Sequence, residues 1–307
     1  MTGNVPTGGP GCITGYDSVP DVYGNGPNGA TFYIMNENST GKSNYNALQT
    51  SFRITGWHGI TSIMNYVYSK SLDNSSDGED FEPNAAQPND STRPGLEYGP
   101  SNFNIPHRFT WNFAYELPKM GGDWQKLKNG WGVNSILTLQ SGQPFQFNYN
   151  FEDDYSGSGE GFDRPDVVGP IKYSPRDPQN FLDLSSFAIP CTITTIAQTA
   201  DPNGTGPTGS AQDCVPGTRH FGNLGRNSLH GPTFKEFNFA LYKTTNLTER
   251  ITMQLRADFF NILNHPNFAA PNFLNDANNS IGTGNAGVIG STSTASRQIQ
   301  LGLKLVW

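Results

Sequence analysis

The chain has 307 residues, a formal net charge of −7, and only 15% charged against 12% aromatic residues. So many aromatic side chains argue against disorder, and an acidic balance without a Lys/Arg cluster argues against nucleic acid as a partner. No run of 18 apolar residues is present, which excludes a transmembrane helix but not barrel strands, which cross with about 9–11 alternating residues.

Residues 1–43 read as an N-terminal loop. Within it, Thr31-Phe32-Tyr33-Ile34-Met35 is a candidate short strand. The opening Met-Thr-Gly-Asn-Val-Pro lacks the basic and apolar regions of a signal peptide. The expectation is therefore a chain that begins partway round a larger assembly.

From residue 44 onward, seven segments alternate at period two, the mark of a strand with two unlike faces. In 45–54, Leu48, Phe52 and Ile54 oppose Gln49, Ser51 and Arg53. In 59–70, Ile60, Met64, Tyr66 and Tyr68 share a face with Ser62. In 107–117, Phe109, Trp111, Phe113 and Tyr115 oppose Arg108, Thr110, Asn112, Ala114 and Glu116. In 131–141, Val133, Ser135, Leu137 and Leu139 oppose Asn134, Ile136, Thr138 and Gln140. In 236–243, Phe237, Phe239 and Leu241 oppose Asn238 and Ala240. In 251–260, Ile251, Met253, Leu255, Ala257 and Phe259 oppose Thr252, Gln254, Arg256 and Asp258. The last segment sets Ile299, Leu301, Leu303, Leu305 and Trp307 against Gln300, Gly302, Lys304 and Val306.

No apolar face so defined carries a charge. A Lys or Arg facing lipid at mid-membrane costs about 2–4 kcal/mol, so a barrel imposes this segregation. A soluble sandwich core imposes it too. The connections discriminate: links 71–106, 148–232 and 262–296 are long, whereas 55–58, 118–130 and 244–249 are shorter, and the two kinds alternate. Antiparallel strands then gather all the long links at one end, as in outer-membrane barrels. The predicted fold is all-β: about seven or eight strands of a larger antiparallel up-and-down transmembrane barrel, over residues 44–307, with long extracellular loops. Arg108, Glu116, Gln254, Arg256 and Asp258 are the candidate lumen-facing residues, and Arg256 and Asp258 are expected to pair. Trp111, Tyr115, Trp131, Tyr66, Tyr68 and Trp307 lie near strand ends, where aromatic rings favour the headgroup level.

Other features have plainer readings. Cys191 and Cys214 flank a Pro/Gly/Thr-rich loop and are candidates for a disulfide; two separate thiols fit the sequence equally well. His107 beside Arg108 resembles a ligand pair, but a strand entry explains it better. His265 in Asn-His-Pro-Asn reads as a turn. Gly222-Asn223-Leu224-Gly225-Arg226-Asn227 lacks the lysine of a phosphate loop, and an arginine bonding backbone suits it better. Glu152, Asp153, Asp154, Glu160, Asp163 and Asp166 offer oxygens to calcium without a calcium-loop spacing, so a solvated acidic loop is the default. No residue pattern points to an enzyme, a cofactor or a catalytic metal.

Ordered motifs run through 43–307: Ser43-Asn44-Tyr45-Asn46-Ala47-Leu48-Gln49, Tyr66-Val67-Tyr68-Ser69-Lys70-Ser71-Leu72-Asp73, Pro106-His107-Arg108-Phe109, Gly130-Trp131 and Gln140-Ser141-Gly142-Gln143-Pro144-Phe145. They continue with Gly222 to Asn227, Leu229-His230-Gly231-Pro232, Leu255-Arg256-Ala257-Asp258-Phe259-Phe260-Asn261 and Asn264-His265-Pro266-Asn267-Phe268. In these the chain resembles the C-terminal barrel region of TonB-dependent transporters, specifically the Oar-like subgroup. It departs at Asn238, where that pattern has an acidic residue. The resemblance implies a plugged barrel of about 22 strands. It also implies outer-membrane lipid as surroundings, TonB contact through a missing N-terminal region, and energy-coupled uptake of a bulky ligand. The other readings of the same chain are a surface-exposed adhesion or binding protein of the outer membrane, and a secreted carbohydrate-binding β-sandwich.

Overall fold

The computed structural model describes residues 39–76, 88–90, 92–149, 154–158, 163–193, 211–271 and 286–307. The candidate strand at 31–35 lies outside them. Seven long strands form: β1 (Ser43–Trp57), β2 (Ile60–Asp73), β3 (His107–Glu116), β4 (Trp131–Gln140), β5 (Phe234–Asn246), β6 (Thr252–Phe260) and β7 (Gln298–Val306). Each falls on one of the seven alternating segments. Every strand pairs antiparallel with its neighbour in sequence, giving one meander ordered β1 to β7. The two-residue stretch Gly99–Pro100 adds to the end of β2.

The register puts the predicted faces together. Opposed residues of an antiparallel pair share a face, so each cross-strand row lies on a single face. One row runs Met64, Trp111, Leu137, Phe237. Another runs Phe113, Ser135, Phe239, Phe259, Ile299. The apolar faces thus merge into one surface across seven strands, and Arg53, Arg108, Glu116, Arg256, Asp258 and Lys304 share the other.

One expectation needs correction. The register sets Lys70 of β2 and Lys235 and Lys243 of β5 on the apolar face. All three lie near strand ends, where a cation costs about 0–1 kcal/mol instead of its midplane penalty. Lys243 Nζ donates to the carbonyls of Lys126 (2.8 Å) and Asn129 (2.7 Å) and sits 5.1 Å from the Trp131 ring centroid. Its charge is satisfied locally.

The turns follow from the residues in them. His58 and Gly59 both take positive φ (51° and 82°) between β1 and β2, as a two-residue hairpin matching the strand twist requires. Between β5 and β6, the Thr248 hydroxyl accepts from the N–H groups of Arg250 and Ile251. In the 117–130 link, Gln125–Lys128 makes a single helical turn.

The hydrophobic core lies elsewhere. Phe145, Phe147, Tyr149, Phe181, Phe187, Ile189 and Leu229 are buried together within a cluster that includes no residue of the seven strands. A sandwich would place its core between two sheets, so the β-sandwich reading does not describe this molecule. The core is built by the long links, which form a folded layer at their end of the sheet. Short pairings frame the layer, Pro144–Phe145 with Leu229–His230 and Asp166–Val167 with Phe187–Ala188. A Cβ at Gly142 would stand 1.8 Å from the Gly231 carbonyl oxygen. The Gln-Ser-Gly-Gln-Pro and Leu-His-Gly-Pro motifs therefore meet backbone to backbone, where only glycine fits.

β1 and β7 have no second neighbour among the described residues. An unpaired backbone group in hydrocarbon costs several kcal/mol, so only closed barrels span a bilayer with strands. The described strands form one open antiparallel sheet whose two edges are β1 and β7.

Candidate functional site

Two surfaces could act on a ligand, the polar face of the sheet and the loop layer above it. Arg108, Glu116, Gln254, Arg256 and Asp258 all lie on the polar face. They do not form one cluster. Arg108 opens β3 and Glu116 closes it, roughly 27 Å apart at strand rise. Arg256 Nε donates to both carboxylate oxygens of Asp258, at 2.8 and 2.9 Å. The Gln254 amide reaches the Thr244 hydroxyl at 3.3 Å.

One row on this face was not apparent from sequence. Glu116 opposes Gly132, Gly132 opposes Tyr242, and Tyr242 opposes Arg256. A Cβ on Gly132 would stand 2.3 Å from the Tyr242 ring. The ring fills the gap that the glycine leaves, between an acid and a guanidinium. These polar groups suit hydrogen bonding to a neutral or zwitterionic solute.

One arginine fastens the layer to the sheet and a second ties two of its links together. Arg226, from the Gly-Asn-Leu-Gly-Arg-Asn motif, donates to the Asp73 carboxylate (2.7 Å), the Asp73 carbonyl (3.0 Å) and the Ser76 hydroxyl (2.8 Å). Both members of this ion pair are buried. The motif's arginine thus bonds backbone, as its residues suggest, and also grips the end of β2. Arg164 pairs with Glu97 in a second buried contact and donates to the Leu224 carbonyl (3.2 Å). Asn227 donates to Pro100 O (2.9 Å) and Asn102 Oδ1 (2.6 Å). Two links far apart in sequence converge here; the motifs ending in Asp73 and containing Arg226 and Asn227 are visible in the sequence, but their meeting is not.

Cys191 and Cys214 form a disulfide, with Cα atoms 5.7 Å apart, inside the layer's core. Such bonds belong to oxidising compartments.

The acidic stretch resolves into separate roles. Glu152, Asp153 and Glu160 lie outside the described residues. Asp154 Oδ1 accepts from Gly157 N (2.7 Å) and Ser158 N (3.1 Å). Asp166 accepts from Asn223 N (3.1 Å) and pairs with His220 at 2.6 Å. The bond from His220 Nδ1 to the Thr218 carbonyl, with Asp166 beside Nε2, raises the imidazole's affinity for its proton. Asp163 is buried, and burial pushes its carboxyl up to about 6 although Ser156 donates to it. Among the described residues, no three acidic, His or Cys side chains gather as metal ligands.

The two histidine motifs are structural. His107 Nδ1 bonds the Tyr66 hydroxyl at 2.8 Å. His107 lies on the apolar face and Arg108 on the other, so they are no ligand pair. At 261–267, Asn261 Oδ1 accepts from His265 N (3.0 Å) and Asn261 Nδ2 donates to His265 O (2.9 Å), which closes a turn. Asn238 Oδ1 accepts from Asn261 N at 2.8 Å.

A comparison with family models matches residues 4–300 to the outer membrane beta barrel domain. No curated protein matches, and no solved structure does. Strand meander, segregated faces and sorted loops agree with this match. The chain belongs to the outer-membrane β-barrel domain family and resides in the outer membrane, with its apolar sheet face against lipid.

Proposed function

We propose that this barrel serves as a TonB-dependent receptor of the Oar-like kind, taking up a bulky ligand across the outer membrane by energy coupling. The observation that carries the reading is the ordered motif series over residues 43–307. Its members take definite structural roles: Arg226 ties the loop layer to β2, Asn227 bonds Pro100, and Gly142 meets Gly231. The layer, packed on its own core, offers an outer surface for capture. The polar sheet face, with Glu116, Tyr242, Arg256 and Asp258, lines the route inward. Catalysis has no part in it. The ligand is unidentified; a neutral-polar and acidic surface disfavours a strongly anionic one.

In vivo photo-crosslinking tests the reading, using the full-length protein in its native host with probes on its periplasmic side. A covalent adduct with TonB is expected. Probes spread over that side that give no adduct, in cells whose known TonB-dependent receptors do, would sink the reading. The surface-binding alternative would then stand, since the folded loop layer serves it equally well.

A further inference from the structure

The 117–130 link has a composition unlike the rest of the chain. It holds Lys119, Lys126 and Lys128 with Asp123 as its one acid, in a protein with net charge −7. It also exposes large apolar side chains, Trp124 at 77%, Leu127 at 62% and Met120 at 47%. Trp124 holds a left-handed backbone, φ 63°, which is uncommon for so bulky a residue.

Its position follows from two bonds. Trp131 and Lys243 lie on the apolar, lipid-facing side of the sheet. Trp131 Nε1 donates to Leu127 O (2.9 Å), and Lys243 Nζ donates to Lys126 O and Asn129 O. The helical turn at 125–128 is therefore folded onto the lipid side, at the short-link, periplasmic end. Lys243 and Trp131 occupy its carbonyls, so Trp124, Leu127 and the three lysines remain exposed. Among the described residues, no carboxylate pairs with Lys119, Lys126 or Lys128.

We propose that this turn is a docking site for anionic phospholipid in the periplasmic leaflet. Trp124, Leu127 and Met120 enter the boundary between headgroups and acyl chains, where amphipathic elements rest. Lys119, Lys126 and Lys128 meet lipid phosphates, each favouring an anionic headgroup about fivefold. The surface is continuous with the lipid-facing sheet, and its charge is opposite to that of phosphatidylglycerol.

Fluorescence quenching of the full-length barrel protein in vesicles tests this. Vesicles carry brominated acyl chains on either phosphatidylglycerol or phosphatidylcholine at equal mole fraction. Subtracting the emission of Trp124→Phe from that of the parent isolates Trp124. Brominated phosphatidylglycerol is expected to quench it at least about twofold more than phosphatidylcholine. In Lys119→Gln/Lys126→Gln/Lys128→Gln, the two lipids should quench alike. No quenching by either lipid overturns the proposal, because the turn then stands in water. Equal quenching in the parent, or a preference kept by the lysine variant, overturns it as well. The parent comparison needs no charge variant, so it stands even if that variant fails to fold; heat-modifiable mobility checks folding of each.

Discussion

The sheet and the loop layer are built by opposite rules. Among the described residues the sheet contributes nothing to the hydrophobic core cluster: Phe109, Leu137, Phe237 and Leu301 share a face outside it. Lipid supplies what a second sheet supplies in a soluble protein. The layer has a core of Phe147, Tyr149, Phe187 and Leu229, buried ion pairs and a disulfide. It resembles a small secreted domain set on a membrane sheet. One region depends on the bilayer and on barrel closure, the other on internal packing, and perturbations should separate them.

The largest expected effects are in the layer. Arg226→Met leaves Asp73 buried without its partner, at a cost of about 3–5 kcal/mol. Protease cleavage within the layer, monitored by mass spectrometry on folded protein, should accelerate while the barrel stays heat-modifiable. Phe147→Ala opens a cavity in the core for about 3–5 kcal/mol; the same assay should show loss of the layer and retention of the barrel. Either variant abolishing membrane assembly altogether would mean that the two regions do not separate.

Next in size is the sheet. Leu137→Arg places a cation mid-strand on the lipid face, at about 2–4 kcal/mol. Thr138→Arg, one residue on, lies on the polar face and should cost little. Urea titration of folded protein in vesicles would compare them, and equal losses would contradict the face assignment.

A smaller, pH-dependent effect belongs to Asp163. Its folded value of about 6 lies above the ordinary carboxylate value of 3.8. The folded layer thus holds the proton more tightly than the unfolded chain does. The resulting stabilisation, up to about 3 kcal/mol, is complete below the ordinary value and lost as pH rises through about 6. Proteolysis of the layer should be slower at pH 5 than at pH 7.5, and Asp163→Asn should flatten that difference. A profile unchanged by the substitution would place its origin elsewhere, for instance at the His220–Asp166 pair.

The seven strands were legible because alternation is a local signal and a barrel enforces it on every residue. Lys243 shows where that signal ends: its parity matched the apolar face, but its carbonyl partners come from a link more than a hundred positions away. The layer was legible only in fragments. Gly-Asn-Leu-Gly-Arg-Asn announced a backbone-bonding arginine, whereas nothing near Arg164 pointed to Glu97, 67 positions earlier. The core of the layer comes from irregular segments, where no periodicity marks which side faces inward. Cys191 and Cys214 could be named as partners but not assigned as bonded, since pairing depends on Cα separation in space. Of the predicted lumen residues, the shared face was readable; their separation along it and the Tyr242 ring between Glu116 and Arg256 were not.

The central claim is that one sheet face meets lipid and the other water. Adjacent single cysteines at Leu137→Cys and Thr138→Cys test it most directly, with Cys12 replaced by Ser and the disulfide intact. Intact outer membranes are exposed to a small water-soluble thiol reagent. Rapid labelling is expected at 138, with protection at 137 and equal labelling once the protein is denatured in detergent. Labelling at 137 as fast as at 138 in the intact membrane would contradict it.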